Sequence, residues 1–272
     1  MKKVLTIAGS DTCGGAGIQA DLKAMSAMGV YGMSVIAAIT AQNTMGVFGV
    51  QEVSKEMVEK QIEVIYDDIE VDAVKVGMLS SSEIIKAVCD SLKKYKAKNI
   101  VIDPVMVSKS EYKLLKDEAI EELKKIIAIA DLVTPNVPEA EILAEMEIRT
   151  KEDLIEAAKK IQKLGAKNIL VKGGHRIDTG DDISTDVLLL ENGKIATYVG
   201  PRFKTKNTHG TGCTLSSTIA SLLGKGYSME EAVEGGKKYI SKAIENSFSI
   251  GHGVGPVGHF VELYKKAGVS YE

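Results

Sequence analysis

The stretch KVLTIAGSDTCGGAGIQADLKAMSAMG, Lys3 to Gly29, decides how the rest of the chain is read. It begins as a short apolar run that ends at Gly9 and passes into a glycine-rich turn. From there Ile18, Leu22, Met25 and Met28 recur at helical spacing until Gly29 closes the segment. The order is strand, glycine loop, helix. The same order recurs down the chain. SVIAAITAQN (34–43), AVKVG (73–77), NIVIDPV (99–105), DLVTPN (131–136) and NILVKGG (168–174) read as buried strands. EMVEKQIEVIYDDI (56–69), SEIIKAVCDSLKKY (82–95), KDEAIEELKKIIAIA (116–130) and KEDLIEAAKKIQKLG (151–165) read as amphipathic helices between them. Strands that alternate with helices predict an α/β fold, with a parallel sheet covered by helices.

The rhythm changes in TDVLLLENGKIATYVG (185–200), where two apolar runs flank Asn192-Gly193. That dipeptide is a hairpin signal, so the sheet is expected to have an antiparallel edge. Two more helices are expected near 211–224 and 229–246. No linker rich in Pro, Gly or Ser and no repeat of fixed period divides the chain, so one domain over residues 1–272 is expected.

Composition narrows the function. Lys plus Arg number 34 and Asp plus Glu 37, a net charge of -3, which leaves no electrostatic footprint for a nucleic-acid backbone. Aromatics make up only 5% and Trp is absent, which also argues against base-stacking platforms. Cys13, Cys89 and Cys213 lie far apart with no C-x-x-C pair, so neither a disulfide framework nor a zinc site is expected. The N-terminal apolar run is short for a secretory signal, and no apolar stretch approaches the ~18 to 20 residues of a membrane span. A cytoplasmic protein without nucleic-acid or membrane partners is the expectation.

In open α/β sheets ligands gather at the carboxyl ends of the strands, so the informative residues should follow strands. GAGIQA, Gly15 to Ala20, matches a dinucleotide fingerprint by letter, but no acid for a ribose occurs between Asp21 and Glu52. The alternatives are a glycine floor under a small substrate, with Asp21 at the start of the helix, and a purely structural turn. No Walker A sequence is present: Gly193-Lys194 is followed by Ile195, and Gly224-Lys225 by Gly226. THGTGCT (208–214) is the phosphate candidate. A helix start presents unpaired N–H groups, and glycines let an anion approach, so the amides of Gly210, Thr211, Gly212 and Cys213 are expected to surround a phosphoryl group. The alternative is a close-packed helix start. Cys213 reads either as a small buried hydrophobe or as a thiol whose pKa the helix start draws below about 8.5. Asp103 and Glu139 follow strands and suit a magnesium ion carried by ATP, although Glu139 also suits a helix cap beside Pro138. His175, His209, His252 and His259 have no metal-like spacing, and no metal is assigned to them.

Taken together, LTIAGSDTCGGAGIQADLK, AAITAQNTMGV, VKVGML, IDPVMVSKS, TPNVPEAEIL, VKGGH, KNTHGTGCTLSS and GHGVGP resemble the hydroxymethylpyrimidine (phosphate) kinases of thiamine biosynthesis, in the ribokinase-like superfamily. Vitamin B6 kinases of that superfamily share several of these motifs. The resemblance implies a three-layer α/β/α fold with a central mostly parallel sheet, and ATP-dependent phosphorylation of a pyrimidine alcohol and then of its monophosphate at one site. It further implies GTGC as the anion hole and Cys213 as the leading candidate for the catalytic base. Gln42 becomes the reader of the aminopyrimidine, since an amide offers both a donor and an acceptor. Met78 and Val105 pack on the ring, and Gly9 and Asp21 line the same pocket. By the same resemblance Asp103 and Glu139 are expected to hold magnesium, Asn136 and Lys172 to serve ATP and its phosphates, and the chain to form a homodimer. The alternatives are a pyridoxal, pyridoxine or pyridoxamine kinase and an inactive sensor that only binds ligand.

Overall fold

The computed structural model of the chain describes residues 1–106, 119–174 and 183–269. Among them nine strands form one sheet: β1 (Lys3–Asp11), β2 (Tyr31–Asn43), β3 (Gly46–Glu52), β4 (Ala73–Val76), β5 (Ile100–Ile102), β6 (Leu132–Val133), β7 (Asn168–Lys172), β8 (Ile183–Leu189) and β9 (Ile195–Pro201). Their order is β3-β2-β1-β4-β5-β6-β7-β8-β9. The six central strands are parallel, as the strand and helix alternation predicts. The Asn192-Gly193 hairpin joins β8 and β9 as the antiparallel edge expected from sequence.

A second antiparallel edge, β3 against β2, has no counterpart in the sequence reading. Its residues GVFGVQE include none that are buried, so it carries no core pattern and is held by ladder bonds to β2.

The central strands are apolar on both faces because helices cover both. Leu5, Val74, Ile102 and Val133 face one layer, formed by α2 (Lys55–Tyr66), α3 (Ser82–Lys94), α4 (Ile120–Ile127), α5 (Val137–Ala144) and α6 (Lys151–Gln162). Val4, Ala73, Val101 and Leu132 face the other, formed by α1 (Gly17–Ala27), α7 (Thr211–Gly224) and α8 (Met229–Glu245). The result is three layers, α/β/α. A short α9 (Val261–Ala267) follows, which the sequence reading does not include. Of the predicted helix 116–130, residues 116–118 lie outside the described residues, as do Val107 to Ser110 and His175.

One helix bears directly on the site. From Thr214 to Ser221 every residue of α7 is buried, and four of these are Ser or Thr besides Thr214. Ser216, Thr218 and Ser221 donate to carbonyls one turn back, at 3.0, 2.7 and 2.7 Å, which satisfies hydroxyls that burial would otherwise leave unpaired. Their small size lets α7 lie against β4, β5 and α1, with its N-terminus at the carboxyl ends of the parallel strands.

Candidate active site

The strand ends surround a cavity of about 490 Å³. Gly9 and Asp11 come from β1, Thr40 and Gln42 from β2, Met78 from the turn after β4, and Asp103 and Val105 from the turn after β5. Asn136 and Glu139 come from the start of α5, Lys172 from β7, and Gly210 to Cys213 from the start of α7. Twelve of the thirteen residues singled out in the sequence therefore line one space, the exception being Asp21.

Glycines set how closely its walls approach. Gly210 has φ +80, and a Cβ there would collide with the Gly15 carbonyl, so the glycine loop and the start of α7 meet backbone to backbone. A Cβ on Gly212 would stand 3.1 Å from Asp103 Oδ2 and 3.4 Å from Lys172 Nζ. The helix start thus lies directly against a charged pair. Of the four amides expected around an anion, that of Thr211 already donates to the Thr208 carbonyl at 3.3 Å.

Asp103 is buried and accepts from Lys172 Nζ at 2.8 Å and from Thr134 Oγ1 at 3.2 Å. Burial would lower the Lys172 pKa, but the Asp103 and Glu139 carboxylates overcome it and hold the ammonium above its ordinary value. Asn136 and Glu139 form a reciprocal cap on α5. The Asn136 N–H donates to Glu139 Oε2 at 2.9 Å, and the Glu139 N–H donates to Asn136 Oδ1 at 3.0 Å. Burial and the Asp103 carboxylate push the Glu139 carboxyl up to about 7, against the pull of Lys172. Glu139 is thus both helix cap and cavity wall. Among the described residues no group of three or more His, Cys, Asp or Glu side chains could hold a metal.

Two readings are corrected. Of the two for Cys213, the thiol with a lowered pKa is the one that fails: burial, with Asp21 and Asp103 adding, pushes it up to about 11 despite the nearby Lys75 ammonium. A helix start offers only about half a positive charge, and here it competes with desolvation and two acids. Asp21 does not line the cavity. It is fully buried behind it, pairing with the equally buried Lys75 Nζ at 2.8 and 2.9 Å, and accepting from Thr6 Oγ1 at 2.6 Å and Ser217 Oγ at 2.7 Å. Those four bonds use up the carboxylate. Burial would lower the Lys75 pKa, but Asp21 more than offsets it and the ammonium is held above its ordinary value.

Two residues escape the sequence reading. His209 is buried in the cavity wall with Nε2 2.8 Å from Asp11 Oδ2 and 3.3 Å from the Gln42 amide nitrogen position. Asp11 in turn accepts from the N–H groups of Cys13, Gly15 and Ala16 at 2.8, 3.0 and 2.8 Å, and so holds the glycine loop closed. The only signal for them is adjacency in motif: Asp11 opens the glycine loop and His209 opens HGTGC, at 198 residues' separation. Met78 lies within reach of Gly9, where a Cβ would stand 3.1 Å from its methyl carbon. A larger residue at position 9 would push Met78 from its place.

The phosphomethylpyrimidine kinase family model matches residues 11–258. The hydroxymethylpyrimidine/phosphomethylpyrimidine kinase of Haemophilus influenzae is 43% identical over 261 residues, 96% of this chain and 97% of that relative. Among solved structures, phosphomethylpyrimidine kinase from Clostridium difficile 630 is 49% identical with a TM-score of 0.79, covering 90% of this chain and 100% of that one. The ADP complex of Bacillus subtilis pyridoxal kinase is 38% identical with a TM-score of 0.88, covering 97% and 99%.

Proposed function

The chain belongs to the phosphomethylpyrimidine kinase family, and from that premise we propose that it phosphorylates 4-amino-5-hydroxymethyl-2-methylpyrimidine with ATP, and then its monophosphate, in thiamine biosynthesis. The observation that carries this is one cavity holding a neutral amide reader, Gln42, together with a helix start set against a carboxylate and ammonium pair, Asp103 and Lys172. The first suits a ring with a nitrogen beside an amino group. The second suits a phosphoryl group in transfer.

The residues divide the work by chemistry. Gln42 orients the ring, with Met78 and Val105 as its apolar walls and Gly9 leaving room for it. The amides of Gly210, Gly212 and Cys213 face the transferring phosphoryl oxygens, where fixed donors cost no reorganisation as charge develops. Lys172 adds a full positive charge to that path, and Asn136 holds the start of α5 against it. The hard oxygens of Asp103 and Glu139 fit a magnesium ion, which takes one or two carboxylates beside phosphates and water. When bound it neutralises phosphate charge. A thiol held at about 11 is protonated near neutral pH, so Cys213 contributes through its N–H more than as a base. Loose phosphoryl transfer needs little early removal of the acceptor's proton, which is consistent with that role.

The close structural likeness to a pyridoxal kinase favours B6 vitamers as second substrates. The whole chain is taken as one catalytic domain, a cytoplasmic homodimer with no nucleic-acid or membrane partner. Purified protein with Mg-ATP is expected to convert the pyrimidine alcohol to its mono- and then diphosphate, with higher kcat/KM than for pyridoxal, pyridoxine or pyridoxamine. The reverse order makes it a B6 kinase, and pyrimidine binding without ATP consumption makes it a sensor.

A further inference from the structure

His209 Nε2 meets two neighbours at once, Asp11 Oδ2 at 2.8 Å and the Gln42 side-chain amide at 3.3 Å. The ring has no freedom to choose between them. A Cβ on Gly15 would press into its Cδ2, Pro256 stands against the same glycine, and the His209 backbone N–H is tied to the Gly255 carbonyl at 3.0 Å. Asp11 fixes the hydrogen. Burial would raise its carboxyl, but the His209 ring and the N–H groups of Ala16 and Cys13 outweigh burial and hold it below its ordinary value. An ionised carboxylate only accepts, so Nε2 carries the hydrogen and points it at Asp11.

A ring nitrogen that bears a hydrogen has no lone pair for an amide N–H. The Gln42 amide has two ends of nearly the same shape, so its partners decide which end faces which way. The end beside His209 must be the carbonyl oxygen: an NH2 there would face a nitrogen with no lone pair, whereas the oxygen at 3.3 Å takes the longer arm of a three-centre bond whose shorter arm goes to Asp11. The other end lies 3.4 Å from Thr40 Oγ1, and that hydroxyl spends its hydrogen on the Ser10 carbonyl at 2.8 Å. Its lone pairs are then free to accept from the Gln42 NH2. Both ends of the amide agree on one orientation.

We propose that His209, with Asp11 behind it and Thr40 opposite, is the specificity-determining residue that fixes the sense of the Gln42 amide, and so sets the order in which donor and acceptor meet the substrate ring. With one lone pair and one N–H used on the protein, one of each remains for the ligand. A ring whose nitrogen and amino group stand in the matching order is bound on both. A hydroxypyridine of the B6 type lacks that adjacent pair and gains no second bond. His209 acts through Gln42 and touches no reacting atom.

This rests on Gln42 as the ring reader, and a double-mutant cycle separates the two claims. His209→Phe removes the N–H and keeps the ring volume. It is expected to lower kcat/KM for the pyrimidine alcohol about ten- to a hundredfold, mostly through KM, and that for pyridoxine at least about fivefold less, since any loosening of Asp11 falls on both substrates alike. Adding it to Gln42→Leu is expected to cost little more than Gln42→Leu alone. His209→Gln, which returns a side-chain N–H, is expected to recover most of the loss and covers the case where the Phe variant folds poorly. Equal losses on both substrates, independent losses in the double variant, or no rescue by Gln overturn the proposal. If Gln42→Leu itself leaves the pyrimidine KM unchanged, it is the reader assignment that fails.

Discussion

At one end of the cavity Gln42, Thr40 and Met78 stand among neutral hydrogen bonds and apolar contacts, with His209 between them and the Asp11 carboxylate. At the other, Asp103, Glu139 and Lys172 crowd full charges against the start of α7. The first end is fixed by directionality, since each donor there has an acceptor and the amide can point only one way. The second is fixed by balance, since each buried charge survives because another lies beside it. The pKa shifts of Glu139 and Lys172 follow from that crowding. Substrate identity should therefore be read at the first end, and rate and pH dependence set at the second.

The strongest attempt to break this division is Asp103→Asn. It leaves Lys172 with only the Glu139 carboxyl to balance it and removes one of the two carboxylates proposed for magnesium, and kcat should fall about 1,000-fold. Titration calorimetry without nucleotide should still find the pyrimidine alcohol bound within about twofold of wild type. A parallel loss of pyrimidine affinity would show that the two ends are one unit. A smaller effect is expected of Cys213→Ala. A thiol pushed up to about 11 is almost wholly protonated at pH 7.5, so kcat should fall less than about tenfold. A hundredfold loss would return the thiol to the role of base.

The smallest effect is in stability. The Glu139 carboxyl ionises near 4.5 in the unfolded chain and near 7 in the folded one, so between those values the folded state holds a proton that the unfolded state has lost. Its contribution to stability is therefore largest below about pH 4.5 and declines as pH rises to about 7. Glu139→Gln keeps a capping side chain without the charge. Relative to wild type, its Tm should gain a few degrees between pH 5 and pH 8. A gap that stays constant across that range would mean the carboxyl ionises normally.

Much of the frame is legible in the sequence because it rests on local patterns. Apolar runs ending in glycine, helical spacing and the Asn192-Gly193 turn each announce their element within a few residues. The loops at the strand ends follow from that frame. What the sequence hides depends on partners far along the chain. Lys75 sits in AVKVG as a polar letter in a short strand, with nothing nearby to show that its amine reaches Asp21. His209 reads only as a histidine without metal-like spacing, while its partners Asp11 and Gln42 come from β1 and β2. β3 stays hidden for the opposite reason: an edge strand without buried residues has no apolar rhythm to read.

The Asp21 and Lys75 pair has a consequence for how this chain can change. One carboxylate ties β1, α1, β4 and α7 together through Thr6, Lys75 and Ser217. Losing either charge alone strands the other in the core, at a cost of about 3 to 5 kcal/mol, a large part of a typical domain's stability. Replacing both with apolar residues can be nearly neutral, but every route of single substitutions passes through that loss. The pair is therefore held in place by its neighbours in mutational space, whatever it does for turnover. An acid locked in this way is as hard to replace as a substrate ligand, and is easily mistaken for one.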